Sequence, residues 1–118
     1  MAKRKISIED GRSALAAVRG GSNARMEVAT AVRYLLEELA ERAPGNSVEV
    51  RVPPFGATQC VAGPRHTRGT PPNVIETDAE TWIALACGEL GWDSAVGAAR
   101  VVASGSRAEL RGLLPLVR

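Results

Sequence analysis

The residues best suited to chemistry lie in the stretch "GPRHTRGT", residues 63–70, which contains the only histidine of the chain. Cys60 lies just before it, so a thiolate paired with the His66 imidazole is the first catalytic arrangement to consider. A cysteine nucleophile needs an exposed, activated thiolate and a base that a third group orients. Cys60 instead lies in an alternating pattern typical of a strand, and no orienting group is evident. We therefore expect Cys60 to be a small core residue and the protein not to be an enzyme.

Metal binding and phosphate-loop chemistry need spacings that the chain lacks. Cys60, His66 and Cys87 show no C-x-x-C or H-x-x-x-H pairing, and a structural zinc site needs four ligands. The two glycines of residues 63–70 have the wrong separation for a phosphate-binding loop, and no lysine follows the second glycine. The sequence therefore predicts neither a metal site nor a cofactor.

The same stretch offers hydrogen-bond donors to an anion. Arg65, His66 and Arg68 lie beside hydroxyl groups and glycine amides, and guanidinium groups bind carboxylates or phosphates through paired hydrogen bonds. The alternative is structural, with the two arginines pairing with acids such as Glu49 or Glu76 while prolines stiffen the connection. We expect the structural use first and keep anion binding as the alternative.

Length and composition limit the classes of function. With 118 residues, of which 45% are apolar and 24% charged, we expect residues 1–118 to form a single globular domain. A net charge of only +2 and a scarcity of aromatic residues argue against a nucleic-acid partner. Two cysteines in apolar surroundings and a start unlike a signal sequence favour a cytoplasmic location. No apolar run reaches the roughly 18 residues of a membrane span, so we expect no stable membrane insertion.

Hydrophobic periodicity predicts the elements that position these residues. Residues 1–45 are expected to form a helical segment, with a first helix capped by Ser7 and a second from about Asn23 to Ala43. The period then changes from about four to two, and residues 46–118 are expected to hold the sheet and the C-terminal helices. Strands are predicted in "SVEVRV", "ATQCVAG", "NVIET" and "RVVASG", the first three as a small antiparallel meander with a hairpin at "PPFG".

Capping motifs predict where the later helices begin. A T-x-x-E box at Thr77 opens one helix, and Asp93 or Ser94 is expected to cap a shorter one. A second box at Ser106 predicts a terminal helix that Pro115 ends. Together these elements predict an α+β fold, with a small, mainly antiparallel sheet of four to five strands and helices covering one face.

The two tryptophans indicate a candidate apolar site. They lie in the two short helices, and the leucine-rich end of the chain is expected to close over them. In a chain poor in aromatic residues, paired tryptophans can line a cavity that a ligand fills, although buried tryptophans more often belong to the core. The candidate lining residues are Trp82, Leu85, Trp92, Val96, Leu110, Leu113 and Leu114.

These motifs resemble the sterol carrier protein type 2 family, in particular its short bacterial members of actinobacterial type. Residues 51–78, "RVPPFGATQCVAGPRHTRGTPPNVIETD", are similar to the signature of the bacterial branch. Residues 76–110 are similar to the general carrier pattern of a strand ending in aspartate, a helix ending in glycine, a small-residue helix and a returning strand. In this pattern Asp78 falls at the aspartate and Gly88 at the helix-ending glycine.

The resemblance implies a non-catalytic domain that binds a sterol, a fatty acyl chain or acyl-coenzyme A in an apolar tunnel between sheet and helices. Because many bacteria make no sterol, we expect a fatty acyl or similar amphipathic, lipid-like ligand. The apolar set named above would hold its chain, and Arg65, His66 or Arg68 would contact an acidic head group. The alternative is an accessory or protein-interaction domain without a ligand, pairing with itself as a homodimer or with an enzyme.

Overall fold

The structure is a computed structural model that describes residues 4–63 and 73–117. The part of the chain that it describes contains four helices and four strands in the order that the sequence predicts. In chain order these are α1 (Ile8–Arg19), α2 (Arg25–Arg42), β1 (Val48–Val52), β2 (Gly56–Cys60), β3 (Asn73–Thr77), α3 (Ala79–Ala86), α4 (Trp92–Gly97) and β4 (Val101–Ser104).

The two N-terminal helices pack against each other, and α2 lies against the sheet. Ser7 caps α1 as predicted, because its hydroxyl accepts a hydrogen bond from the amide of Asp10 at 3.0 Å. A Cβ atom at Gly11 would overlap the ring of Tyr34, so the absence of a side chain lets α1 approach α2 closely. Helix α2 then buries a stripe of apolar residues three and four apart, made of Ala31, Val32, Leu35, Leu36 and Leu39.

The sheet has the strand order β2-β1-β3-β4 and is mixed. β1 and β2 form the predicted antiparallel hairpin, in which Val48 is opposite Cys60. The predicted meander is wrong, because β3 lies on the other side of β1 and runs parallel to it, while β4 is antiparallel to β3. Asn73 helps to fix this arrangement. Its side chain donates to the carbonyl of Ser47 and accepts from the amide of Arg107, each at 2.9 Å.

The two faces of the sheet differ in burial. Alternate residues of β1 and β3, such as Val50 and Ile75, are buried against the helices. The residues between them are half-buried, as Glu49 and Val74 are, or exposed, as Arg51 and Glu76 are, and no helix of the described chain covers their side of the sheet. These observations confirm the predicted α+β class, with a mainly antiparallel sheet and helices on one face. The uncovered side, called the open face below, consists of Glu49, Arg51, Ala57, Gln59, Val74, Glu76, Val102 and Ser104.

The caps of the two short helices differ from those predicted. Asp78, not Thr77, caps α3, and its carboxylate accepts from both the amide and the hydroxyl of Thr81, at 2.7 and 3.0 Å. Thr77 is the last residue of β3, and its hydroxyl donates to the carbonyl of Arg100 at 2.8 Å. A carboxylate at a helix start is also favoured by the helix dipole. Helix α4 begins at Trp92 without a side-chain cap.

The predicted terminal helix is wrong, since residues 105–117 form turns. Gly112 adopts a φ of +80°, which interrupts any helix, and Pro115 has no amide to donate. The amides of Leu116 and Val117 instead donate to the carbonyl of Ala86 at 2.8 and 3.1 Å. Residues 105–117, called the C-terminal segment below, therefore pack onto the end of α3. No helix that the structure describes is long and apolar enough to span a bilayer.

Candidate ligand-binding site

The predicted apolar site lies largely within the packed core. Trp82, Leu85 and Leu110 are at most 1% exposed, and the indole Nε1 of Trp82 donates to the carbonyl of Val32 at 3.3 Å. Three more predicted residues are half-buried and pack against this core, namely Trp92, Leu113 and Leu114. Val96, on α4, differs from the other predicted residues because it is 41% exposed. The role of this set in holding a ligand remains a prediction.

The predicted contacts to an acidic head group fall in the connection between β2 and β3. Arg65, His66 and Arg68 lie outside the described residues, so their role also remains a prediction. Glu49, one of the acids considered as their partner, pairs with Arg51 on the open face at 2.6 Å.

The two thiols are held in their neutral form. Cys60 is fully buried, as expected from its strand position, and burial raises the pKa of its thiol to about 11. Burial also raises the pKa of Cys87, with a smaller opposing effect of Arg19 and a further rise from Glu89. Neither thiol has the depressed pKa of a reactive cysteine. Within residues 4–63 and 73–117, no three His, Cys, Asp or Glu side chains form a metal site.

A groove lies between α1, α2 and the C-terminal segment, and its lining includes none of the predicted site residues. Its volume is about 680 Å³, which is within the range of small-molecule sites. The apolar part of its lining comes from α1, the ring of Tyr34 and the end of the C-terminal segment. The polar part comes from three arginines and one glutamate. The lining residues are Leu15, Ala16, Tyr34, Pro115, Leu116 and Val117, with Arg12, Arg19, Glu38 and Arg42.

The wall formed by the C-terminal segment is attached to the end of α3. The Ala86 carbonyl accepts the amides of Leu116 and Val117, so one carbonyl holds two consecutive residues of the wall. Gly88 follows with a φ of +77°, and a Cβ atom there would lie 3.3 Å from the Cβ of Pro115. The glycine thus ends the helix in a conformation that disfavours side chains and leaves room for the wall.

The opposite wall is organised by ion pairs around Glu38. One oxygen of this carboxylate accepts from Arg4 at 2.9 Å, and the other accepts from Arg42 at 3.1 Å. The guanidinium of Arg4 also lies 5.3 Å from the centre of the Tyr34 ring, a cation–π distance. The N-terminal residues are therefore fixed against α2 beside the groove.

A family model described as a bacterial SCP ortholog, SCP standing for sterol carrier protein, matches residues 24–116. The chain belongs to this bacterial SCP family. The match covers α2, the whole sheet, α3, α4 and most of the C-terminal segment of the SCP domain, which confirms the resemblance of its motifs. It leaves out α1 and with it Arg12, Leu15 and Arg19 of the groove. Among curated proteins, none matches the chain.

The groove residues were not among those that the sequence singled out. Arg12, Ala16 and Arg19 follow each other at spacings of four and three, which places them on one face of α1. That stripe of charged and small residues was a usable local signal. No local pattern indicated the apolar wall opposite. Leu116 lines the groove only because the C-terminal segment forms turns in place of the predicted helix.

Proposed function

We propose that this SCP domain is a non-catalytic carrier that binds an amphipathic, lipid-like ligand such as a fatty acyl chain. The observation that carries the proposal is the groove, a mainly polar surface in which three arginines adjoin a smaller apolar part, in a member of a carrier-like family. An amphipathic molecule needs both surfaces, because its chain gains free energy from burial while its head group must stay hydrated or paired.

The state of the thiols supports binding without chemistry. Cys60 is the strongest candidate nucleophile in the sequence, yet it is fully buried and its pKa is raised to about 11. At neutral pH such a thiol carries almost no thiolate, which is the reactive form.

The groove is a better location for the ligand than the predicted apolar set. Trp82, Leu85 and Leu110 are already packed, so a ligand among them would have to displace core side chains, and interiors are packed as densely as crystals. The groove is open to solvent, and its accessible apolar atoms belong to Ala16, Pro115 and Val117, so a ligand there contacts them without displacing core side chains. Because Trp92 is only half-buried, its fluorescence reports on the predicted set and serves to distinguish the two locations.

The direct test is native mass spectrometry of protein purified without detergent, followed by titration with fatty acids, fatty alcohols and acyl-coenzyme A. We expect a retained mass or saturable binding of one long-chain ligand per chain. Absence of saturable binding for all three classes would contradict the proposal.

A second function is favoured by the open face of the sheet. Val102 is 67% exposed there, beside exposed polar residues, and the structure describes no helix over this face. An accessory domain would use such a face to pair with itself or with an enzyme. Sedimentation velocity of the wild type and of Val102→Lys tests self-pairing. A monomer at all concentrations removes the homodimer, and a dimer that the substitution dissociates supports it.

A further inference from the structure

We infer that the groove selects amphiphiles with an acidic head group, a carboxylate or a phosphate monoester, and that Arg12 is the residue that recognises this group. The inference rests on the proposed function, since it assigns a head-group class and a location to the lipid-like ligand. The family model matches residues 24–116, and α1 lies outside that range. The match therefore includes only part of the groove to which this inference applies.

Arg12 makes no ion pair with any residue that the structure describes. Around the groove, four arginines meet three glutamates, and each glutamate pairs with an arginine other than Arg12. Glu9, one turn earlier on α1, makes no ion pair with Arg12 either. The exposed guanidinium of Arg12 therefore makes no hydrogen bond or ion pair with any residue that the structure describes. The four arginines are Arg4, Arg12, Arg19 and Arg42, and the three glutamates are Glu38, Glu41 and Glu89.

The other two rim arginines use only part of their hydrogen-bonding capacity. Arg42 donates to Glu38 through Nε, and Arg19 donates to Glu89 through Nη2 at the long distance of 3.3 Å. Guanidinium groups bind carboxylates and phosphates in a paired, planar geometry that an alcohol cannot match. The rim is thus suited to an oxyanion rather than to a neutral polar group.

The apolar lining begins next to this charge. Leu15 follows Arg12 by three residues, so the two side chains are neighbours on one face of α1. Arg19 is two helical turns from Arg12, a separation of about 10 Å along the axis, and Leu15 and Ala16 lie between them. A head group at Arg12 therefore places the first part of its chain beside the exposed Ala16 and directs it towards the half-buried Pro115 and Val117.

The test compares ligands of one chain length that differ only in the head group: dodecanoate, dodecyl phosphate and dodecanol, below the concentrations at which they aggregate. Calorimetric titration of the full chain is expected to give at least about tenfold tighter binding of the two acids than of the alcohol, as for one charge-assisted contact. Acetate and inorganic phosphate, which carry the charge without the chain, are expected to bind far more weakly than either acid.

The substitution Arg12→Gln is expected to weaken binding of the two acids by about tenfold and to leave dodecanol within about twofold. Arg12→Lys keeps the positive charge but not the planar guanidinium that forms two parallel hydrogen bonds. We therefore expect it to weaken binding of the acids less than Arg12→Gln does. Arg51→Gln is the matched control, because it removes the same charge from the open face. Since Arg12 is exposed, thermal unfolding of the variant should match that of the wild type.

The outcomes separate the inference from the proposed function. If the wild type binds none of the amphiphiles, the proposed function fails. If it binds the alcohol as tightly as the acids, or if Arg12→Gln weakens all ligands equally, the carrier function stands and the inference is overturned. The inference is also overturned if acid selectivity survives Arg12→Gln, and its loss in the double variant Arg65→Gln, Arg68→Gln would then assign the head group to the predicted arginines.

Discussion

Gly11 of α1 lies directly against the ring of Tyr34 on α2, and the two leave no space for a side-chain carbon between them. The contact fixes how closely α1 approaches the rest of the chain. Tyr34 also lines the groove, so the contact between Gly11 and Tyr34 fixes the position of the groove wall that α1 provides.

Replacing Gly11 by alanine should therefore destabilise the protein, although alanine favours helices. We expect a loss of about 1–3 kcal/mol in the free energy of unfolding, the usual effect of overpacking, measured by urea denaturation. Gly97→Ala is the control, because it adds the same carbon near the end of α4, where nothing lies within 4 Å. That change should be neutral or slightly stabilising. Equal stability of the Gly11→Ala and Gly97→Ala variants would contradict the close contact.

The cap of α3 is a second measurable feature. Asp78→Ala should cost about 1–2 kcal/mol in stability, because two hydrogen bonds to Thr81 are lost, whereas Asp78→Asn should retain most of the cap. Glu80→Ala distinguishes this cap from the predicted T-x-x-E box at Thr77. The Glu80 side chain is 92% exposed, and we expect a change below about 0.5 kcal/mol. A large loss for Glu80→Ala would favour the box.

Gly88→Ala should loosen the C-terminal wall of the groove. The new Cβ would be strained by the φ of +77° and would also press on Pro115, whereas Gly112→Ala, at a φ of +80°, meets nothing within 4 Å. Both variants should lose about 1 kcal/mol or more from backbone strain. Only Gly88→Ala should also speed hydrogen exchange of the Leu116 and Val117 amides. Equal protection of these amides in the two variants would contradict the proposed attachment.

The buried thiol of Cys60 predicts a loss of stability at alkaline pH. Its pKa in the folded chain is about 11, above the ordinary value of 9.0, so the folded state holds the proton more tightly than the unfolded state. The resulting stabilisation is complete below pH 9 and is lost as the pH rises through 11. The stability difference between wild type and Cys60→Ala should therefore be constant below pH 9 and narrow by about 2 kcal/mol above it. A difference independent of pH up to 11 would be inconsistent with this burial.

The parts of the fold that local patterns specify were predictable from the sequence. Ser7 caps α1 by accepting a hydrogen bond from an amide only three residues later in the chain. The alternation of Val48, Val50 and Val52, which predicts β1, likewise lies within five consecutive residues. The placement of β3 was not predictable in this way. It depends on Asn73, whose side chain joins residues far apart along the chain, Ser47 and Arg107.

The candidate site was harder to predict for the same reason. Arg12 and Leu15 meet Leu116 across about a hundred residues, and that meeting depends on a terminal segment whose capping motif pointed to a helix. The capping motif at Ser106 favours the start of a helix, but Gly112 and Pro115 would end that helix within two turns, and no helix forms. Of the two tryptophans predicted to line an apolar site, Trp82 is fully buried in the core and Trp92 is half-buried against it, and their role in holding a ligand stays a prediction.

The two walls of the groove come from near the two ends of the described chain. Arg4 packs on the ring of Tyr34 and Val117 lines the groove, so the first and last residues that the structure describes lie beside it. An affinity tag, and a polyhistidine tag above all, would bring its own side chains to the rim and compete for or contribute to anion binding. Affinities for acidic amphiphiles should therefore be compared before and after tag removal, at each end separately.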